Sequence, residues 1–297
     1  MSTSHTTPHA APPDRYVTVS GVRLRYLEWA GGAPTIVLLH GLSANANSFV
    51  GVAEAGLAPR FHIVAPDLRG RGRSDAPATG YRMADHAADV LGLLDALGLD
   101  RVVLGGHSFG AYLALYIAAT APERVDRLVL LDAAMRMNPQ VRELIKPSLD
   151  RLTMTFPSTA AYLDQMRRAP HVDGQWDWAL EAYFRAEIVE QPDGTATSAT
   201  SAAAIAQALE GVVSEPWLDI VARATQPALL VNAPAAYGPP GPAALVPEEN
   251  ARETAEALAD CAYVGVPGNH LTMLFGSNAA RVAAAIAQFA GAAAAGR

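Results

Sequence analysis

The chain has 297 residues and a single cysteine, Cys261. One cysteine excludes an intrachain disulfide and a thiolate metal cluster. Charge is sparse as well: Asp, Glu, Lys and Arg make up 17% of the residues, and the formal net charge is −7. With no basic cluster there is no surface to neutralise phosphates, which argues against a nucleic-acid partner. No apolar run approaches the roughly 20 residues of a membrane span without a charge or proline, so no membrane partner is expected. Met1–Pro13 is rich in Ser, Thr, His and Pro and lacks the basic and apolar parts of a signal peptide. Residues 1–14 read as a disordered lead-in to a soluble, cytoplasmic protein. No group of histidines and carboxylates has metal-ligand spacing, so neither metal nor cofactor is expected. Nothing in the composition specifies an oligomeric state.

What is present is hydrophobic. Apolar residues are 51% of the chain, and the length suffices for one large core with an insertion. Tyr16–Ser20 and Val22–Trp29 flank Gly21 and predict an antiparallel hairpin. Thr35–Leu39 and Phe61–Ala65 are continuous apolar runs, as in strands buried on both faces. Between Tyr81 and Gly98, Met83, Ala87, Val90, Leu91, Leu94 and Leu97 recur with helical period. Strands follow at 101–105 and Arg127–Asp132. This alternation predicts a parallel sheet with helices on both faces. From Ala133 to about Thr225 the alternation stops. That stretch is helical and aromatic, without a strand-like run, and prolines and glycines divide it into roughly four short helices. The pattern resumes with a strand at Ala228–Asn232, a helix at about Pro247–Ala259, a strand at Ala262–Val266 and a last helix carrying Val282, Ile286 and Phe289. The tail, 291–297, is expected to fray.

Between the 101–105 strand and the apolar helix that begins near Ala111 lies Gly106-His107-Ser108-Phe109-Gly110. Gly-x-Ser-x-Gly between strand and helix is a nucleophile elbow. The turn is so tight that side chains at the flanking positions would meet neighbouring backbone, and the serine Oγ projects from the sheet.

Further parts appear in workable order. They are His40-Gly41 after one strand, Asp67-Leu68-Arg69-Gly70-Arg71-Gly72-Arg73-Ser74 after the next, the helical insertion, and a late Gly268-Asn269-His270. Together with the elbow they resemble the α/β-hydrolase fold, in its lidded, epoxide-hydrolase-like and esterase-like branch, from about Tyr16 to Phe289. The resemblance implies an α/β fold: a mostly parallel eight-stranded sheet, helices on both faces, and a helical lid inserted after the sixth strand. It places the core at 15–132 and 226–290 and the lid at 133–225. It also implies roles. Ser108 is the candidate nucleophile, and His270, after the last strand, is its candidate base. Backbone N–H groups of Phe109 and Leu42 are the candidate oxyanion hole. His107 is expected to point away from Ser108 Oγ and pack the elbow, and it is also a candidate pocket residue. His40 is expected to support the oxyanion loop. His62 falls in a strand, and His86 and His171 read as helix-surface and lid residues. The Asp67–Asp75 loop reads as structural; it lacks the Gly-Lys-Ser/Thr of a phosphate loop.

The acid departs from the family pattern. Most relatives carry Asp or Glu just beyond the strand that follows the lid, yet no carboxylate occurs here from Ala228 until Glu248. Some relatives, notably haloalkane dehalogenases, place it at the end of the strand before the lid. Here that strand ends in Asp132, the candidate acid. The alternatives are an Asp132 that only holds the strand end, a dyad in which Asn232 contacts the histidine, and Glu248.

A serine nucleophile argues against epoxide hydrolase and dehalogenase chemistry, which need a carboxylate nucleophile. It favours acyl transfer on an ester, lactone or thioester. The aromatic lid favours a small to medium hydrophobic substrate, with Pro147, Met154, Trp176, Tyr183 and Phe184 around the entrance. A carboxylesterase is the leading expectation. A carbon–carbon bond hydrolase with the same triad and a non-catalytic ligand-binding homologue are the alternatives. Perhydrolase activity is a side reaction in this family. Proline iminopeptidase fits less well, because that elbow usually carries Trp after the serine.

Overall fold

The apolar runs of the sequence pair into one sheet. The structure is a computed structural model that describes residues 11–172, 174–237 and 244–292. Its first six strands are β1 (Arg15–Val19), β2 (Val22–Trp29), β3 (Ile36–Leu39), β4 (Ile63–Pro66), β5 (Val102–His107) and β6 (Val125–Leu131). Three short strands follow, β7 (Thr155–Phe156), β8 (Ile188–Glu190) and β9 (Ala196–Ser198), then β10 (Ala228–Asn232) and β11 (Cys261–Gly265). Eight strands form the main sheet in the order β1-β2-β4-β3-β5-β6-β10-β11. β2 runs antiparallel to both β1 and β4, and the pairs from β4 to β11 are parallel.

The central strands are predominantly apolar because both faces are covered. In β3, Ile36 and Leu38 point into one core, while Val37 and Leu39 point into the other. β6 repeats this with Val129 and Leu131 against Leu128 and Leu130. The helix Gly276–Gly291 packs in the first core through Val282 and Ile286. The helices Met83–Ala96 and Phe109–Thr120 pack in the second. Each fully buried Val, Leu or Ile stabilises by about 1.5–3 kcal/mol, so this two-sided burial fixes the sheet.

The structure differs from the sequence expectation in three places. The chain from Ala46 to Leu57 winds into short helical turns that pack Phe49, Val50 and Val52 in the core. No periodic signal marks so short a run. Between β6 and β10 the helices are Val141–Asp150, Thr159–Arg167, Trp178–Ala186, Ala202–Ser214 and Trp217–Arg223, accompanied by a three-stranded antiparallel sheet, β7-β9-β8. Strands of two or three residues are too short to display alternation. Third, Asp14, expected within a disordered lead-in, accepts from Arg25 Nε at 2.8 Å and pairs with Arg73. The expected lead-in over residues 1–10 and the expected fraying of 293–297 lie outside the described residues.

Candidate active site

β5 ends at His107, and the helix Phe109–Thr120 begins immediately after Ser108. The reversal leaves Ser108 at φ 54° and ψ −118°, a conformation that L-residues rarely adopt. The flanking glycines are obligatory. A Cβ on Gly110 would lie 1.9 Å from Leu39 O, and one on Gly106 would lie 2.2 Å from the Gly110 carbonyl.

Parallel pairing brings the ends of β6 and β10 side by side, with Leu131 opposite Val231. Asp132 and Asn232 therefore meet. Asp132 Oδ1 accepts from Asn232 Nδ2 at 2.8 Å and from Ala233 N at 2.9 Å. Its Oδ2 accepts from His270 Nδ1 at 2.6 Å. Asp132 is buried, 1% exposed, so this carboxylate is held by three donors in a water-poor site. Asn232 supports Asp132 instead of contacting the histidine, and Glu248 starts a helix and pairs with Arg252 at 2.9 Å.

With Nδ1 of His270 committed to Asp132, Nε2 is the nitrogen left for Ser108, and both residues line one cavity. His107 fixes the loop that carries His270. Its Nε2 donates to His270 O at 2.7 Å, since a carbonyl can only accept, and the two rings lie 4.4 Å apart. Burial holds the His107 pKa well below the usual histidine value. Asn269 ties the same loop internally and outward: its Oδ1 accepts from Leu271 N and Thr272 N, each at 3.0 Å, and its Nδ2 donates to His171 O at 3.0 Å.

His40 joins the loop after β3 to the loop after β4. Its Nδ1 donates to Gly41 O at 2.8 Å, and Nε2 accepts from Leu68 N at 2.9 Å. Full burial lowers its pKa to about 3, so the ring is neutral. Asp67 secures the second loop by accepting from Ala46 N at 2.7 Å and Arg73 N at 2.9 Å. Among the described residues no acceptor takes the backbone N–H of Leu42 or of Phe109. Both residues border Ser108.

A family model described as alpha/beta hydrolase fold matches residues 34–232, more than half of the chain. The chain belongs to the α/β-hydrolase fold family. An uncharacterized protein of Mycobacterium tuberculosis is 43% identical over 124 residues, 41% of this chain, and the match spans only 36% of that protein. The 2-(acetamidomethylene)succinate hydrolase of Mesorhizobium japonicum is 30% identical over 225 residues, covering 73% of this chain and 76% of that one. A crystal structure of E-2-(acetamidomethylene)succinate hydrolase superposes with a TM-score of 0.79 at 26% identity, covering 93% of this chain and 98% of that chain.

In this α/β-hydrolase two lobes meet at Ser108 and His270. One is mainly apolar, bordered by Tyr112, Met137, Val141, Leu209 and Val212, with Arg136 and Asn138 also on its wall. The other is more polar, bordered by Ser43, Ser148, Arg151, His171, Tyr183 and Tyr237. Of the residues expected at the entrance, Tyr183 and Phe184 line the polar lobe, as does His107. Pro147, Met154 and Trp176 do not. On the helix Val141–Asp150, Ile145, Ser148 and Leu149 share the face toward the cavity, which turns Pro147 outward. Met154 is 44% exposed, and Trp176 stacks on Phe184 at 5.6 Å.

Sequence reasoning missed Arg151, His171 and Tyr237 as lining residues. Arg151 donates to Glu187 at 3.2 Å, and Tyr162 donates its hydroxyl to the same carboxylate. Burial and Arg151 lower the His171 pKa to about 4. His86 was expected on a helix surface and is instead fully buried, edge-on to Phe109 at 5.2 Å. An aromatic-lined lobe gives no sequence signal for which polar side chains turn inward.

Proposed function

We propose that this chain is a serine hydrolase that cleaves a carboxylic ester, or a lactone or thioester, through an acyl-enzyme on Ser108. The observation that carries this is the 2.6 Å contact of His270 Nδ1 with an Asp132 carboxylate whose other oxygen is already saturated. Such a carboxylate fixes the ring and stabilises its imidazolium form. Ser108 Oγ attacks the carbonyl carbon as His270 Nε2 takes its proton. The negative oxygen of the tetrahedral intermediate is received by the N–H groups of Leu42 and Phe109. His270 then gives the proton to the departing alkoxide, and the acyl group stays on Ser108. Water attacks the acyl-enzyme, its proton passes to His270, and the acid leaves as Ser108 is reprotonated. The apolar lobe suits an alkyl or aryl arm of a small to medium substrate.

A second reading draws on the polar lobe, with Arg151 and His171, and on the relative named for 2-(acetamidomethylene)succinate. It is hydrolysis of a substituted succinate of that kind.

The test is hydrolysis of short- to medium-chain p-nitrophenyl esters by the wild type beside Ser108→Ala. Turnover by the wild type and none by the variant supports the acyl-enzyme. Equal turnover by both refutes it. A wild type idle on esters and active on the substituted succinate selects the second reading.

A further inference from the structure

One strongly charged buried group has no part in the chemistry above. Arg71 is fully buried. Its Nε donates to Leu42 O at 2.9 Å and one terminal nitrogen donates to Arg69 O at 2.7 Å. The same nitrogen lies 3.3 Å from His86 Nε2. The guanidinium carbon stands 5.1 Å above the centre of the Phe109 ring. The other terminal nitrogen has no partner among the described residues, and neither has His86 Nδ1.

The charge is unbalanced. Neighbouring Arg69 has a carboxylate of its own, Asp89, at 2.5 and 2.6 Å. No described carboxylate forms an ion pair with Arg71; its polar partners are two carbonyls and a histidine. Burial brings its pKa down to about 9, which leaves it charged at neutral pH. A buried cation without a counter-charge is costly, and carbonyls and a neutral histidine do not neutralise it.

The two residues that Arg71 touches on this side are Leu42 and Phe109, whose N–H groups border Ser108 and lack acceptors. On the serine-hydrolase function proposed above, the missing negative charge arises only during reaction, on the oxygen that those two groups receive. We infer that Arg71 is a positioning residue for the oxyanion hole: it holds the Leu42 carbonyl and packs on the Phe109 ring, and it supplies positive potential behind their N–H groups. Preorganised charge of this kind acts on the tetrahedral state and leaves substrate binding nearly unchanged.

The experiment compares wild type, Arg71→Lys, Arg71→Gln and Ser108→Ala. Lys keeps the charge. Gln keeps a donor for Leu42 O and removes the charge. The readouts are the rate of covalent labelling by a fluorophosphonate probe, followed by intact mass, and kcat and KM on p-nitrophenyl butyrate. Near-UV circular dichroism checks folding, and Arg71→Met replaces the Gln variant if that one does not fold. The neutral variant should lose roughly 10- to 100-fold in labelling rate and in kcat, less than the about 100- to 1000-fold for deleting a direct donor, with KM nearly unchanged. Lys should recover most of the loss. A folded neutral variant as fast as the Lys variant, or a loss confined to KM, overturns the inference and leaves the serine function standing. A wild type that resists labelling and turns over no ester overturns both.

Discussion

Replacing Asp132 by Asn tests the assignment of the acid at one atom. The backbone tolerates the change: Asp132 sits at φ 53°, in the left-handed region where Asn is as much at home as Asp. The amide has one oxygen and one NH2 group, and the structure dictates which goes where. Asn232 Nδ2 and Ala233 N both donate to Oδ1, at 2.8 and 2.9 Å, so the amide oxygen must face them. The NH2 then faces His270 Nδ1, which now accepts 2.6 Å away where it had donated. The proton moves to Nε2, and the ring can no longer take a proton from Ser108. The opposite amide orientation sets NH2 against two N–H donors and strands both, at about 1–3 kcal/mol each. A wrong tautomer in such a triad costs about 10⁴-fold in kcat, or about 5.5 kcal/mol of barrier. The assay is kcat on a p-nitrophenyl ester at neutral pH, with urea unfolding as the folding control. A folded Asp132→Asn protein within a few-fold of wild type would refute the reasoning.

Three further outcomes follow from local geometry. Ser108→Gly should be inactive yet more stable by about 1 kcal/mol, because glycine relieves the strained elbow dihedrals; a lower urea midpoint than wild type contradicts this. Gly110→Ala should lose both fold stability and activity, since its Cβ would sit 1.9 Å from Leu39 O, a backbone atom that cannot swing aside; a soluble, active variant contradicts it. Stability should fall with acid. His40 titrates at about 3 when folded against an ordinary value of 6.5. Between those values the unfolded chain holds a proton that the folded chain does not. Its contribution is complete above pH 6.5 and declines as pH falls, by up to about 1.4 kcal/mol per pH unit. Buried His86, His107 and His171 are lowered in the same direction and add to the fall, so urea midpoints from pH 7.5 to 5 should decline in both proteins, less steeply in His40→Gln; equal slopes in the two proteins contradict it.

Features written in short range were legible in the sequence. The elbow needs a strand, two glycines around Ser108 and a helix, all within about twenty residues, and local sterics enforce it. The sheet was legible because burial on both faces makes all of β3 and most of β5, β6 and β10 apolar. The order of the parts pointed to Ser108, His270 and a missing carboxylate after β10. Which of Asp132, Asn232 and Glu248 stands against His270 was not written there. Residues 100 positions apart meet only because β6 and β10 pair in parallel with Leu131 opposite Val231, which sets Asn232 against Asp132. Periodicity likewise cannot say which way a side chain in a short helix or two-residue strand turns. Pro147 and Met154 went outward while Arg151 and His171 came to line the cavity. Pairing and packing, which join distant segments, decided those positions.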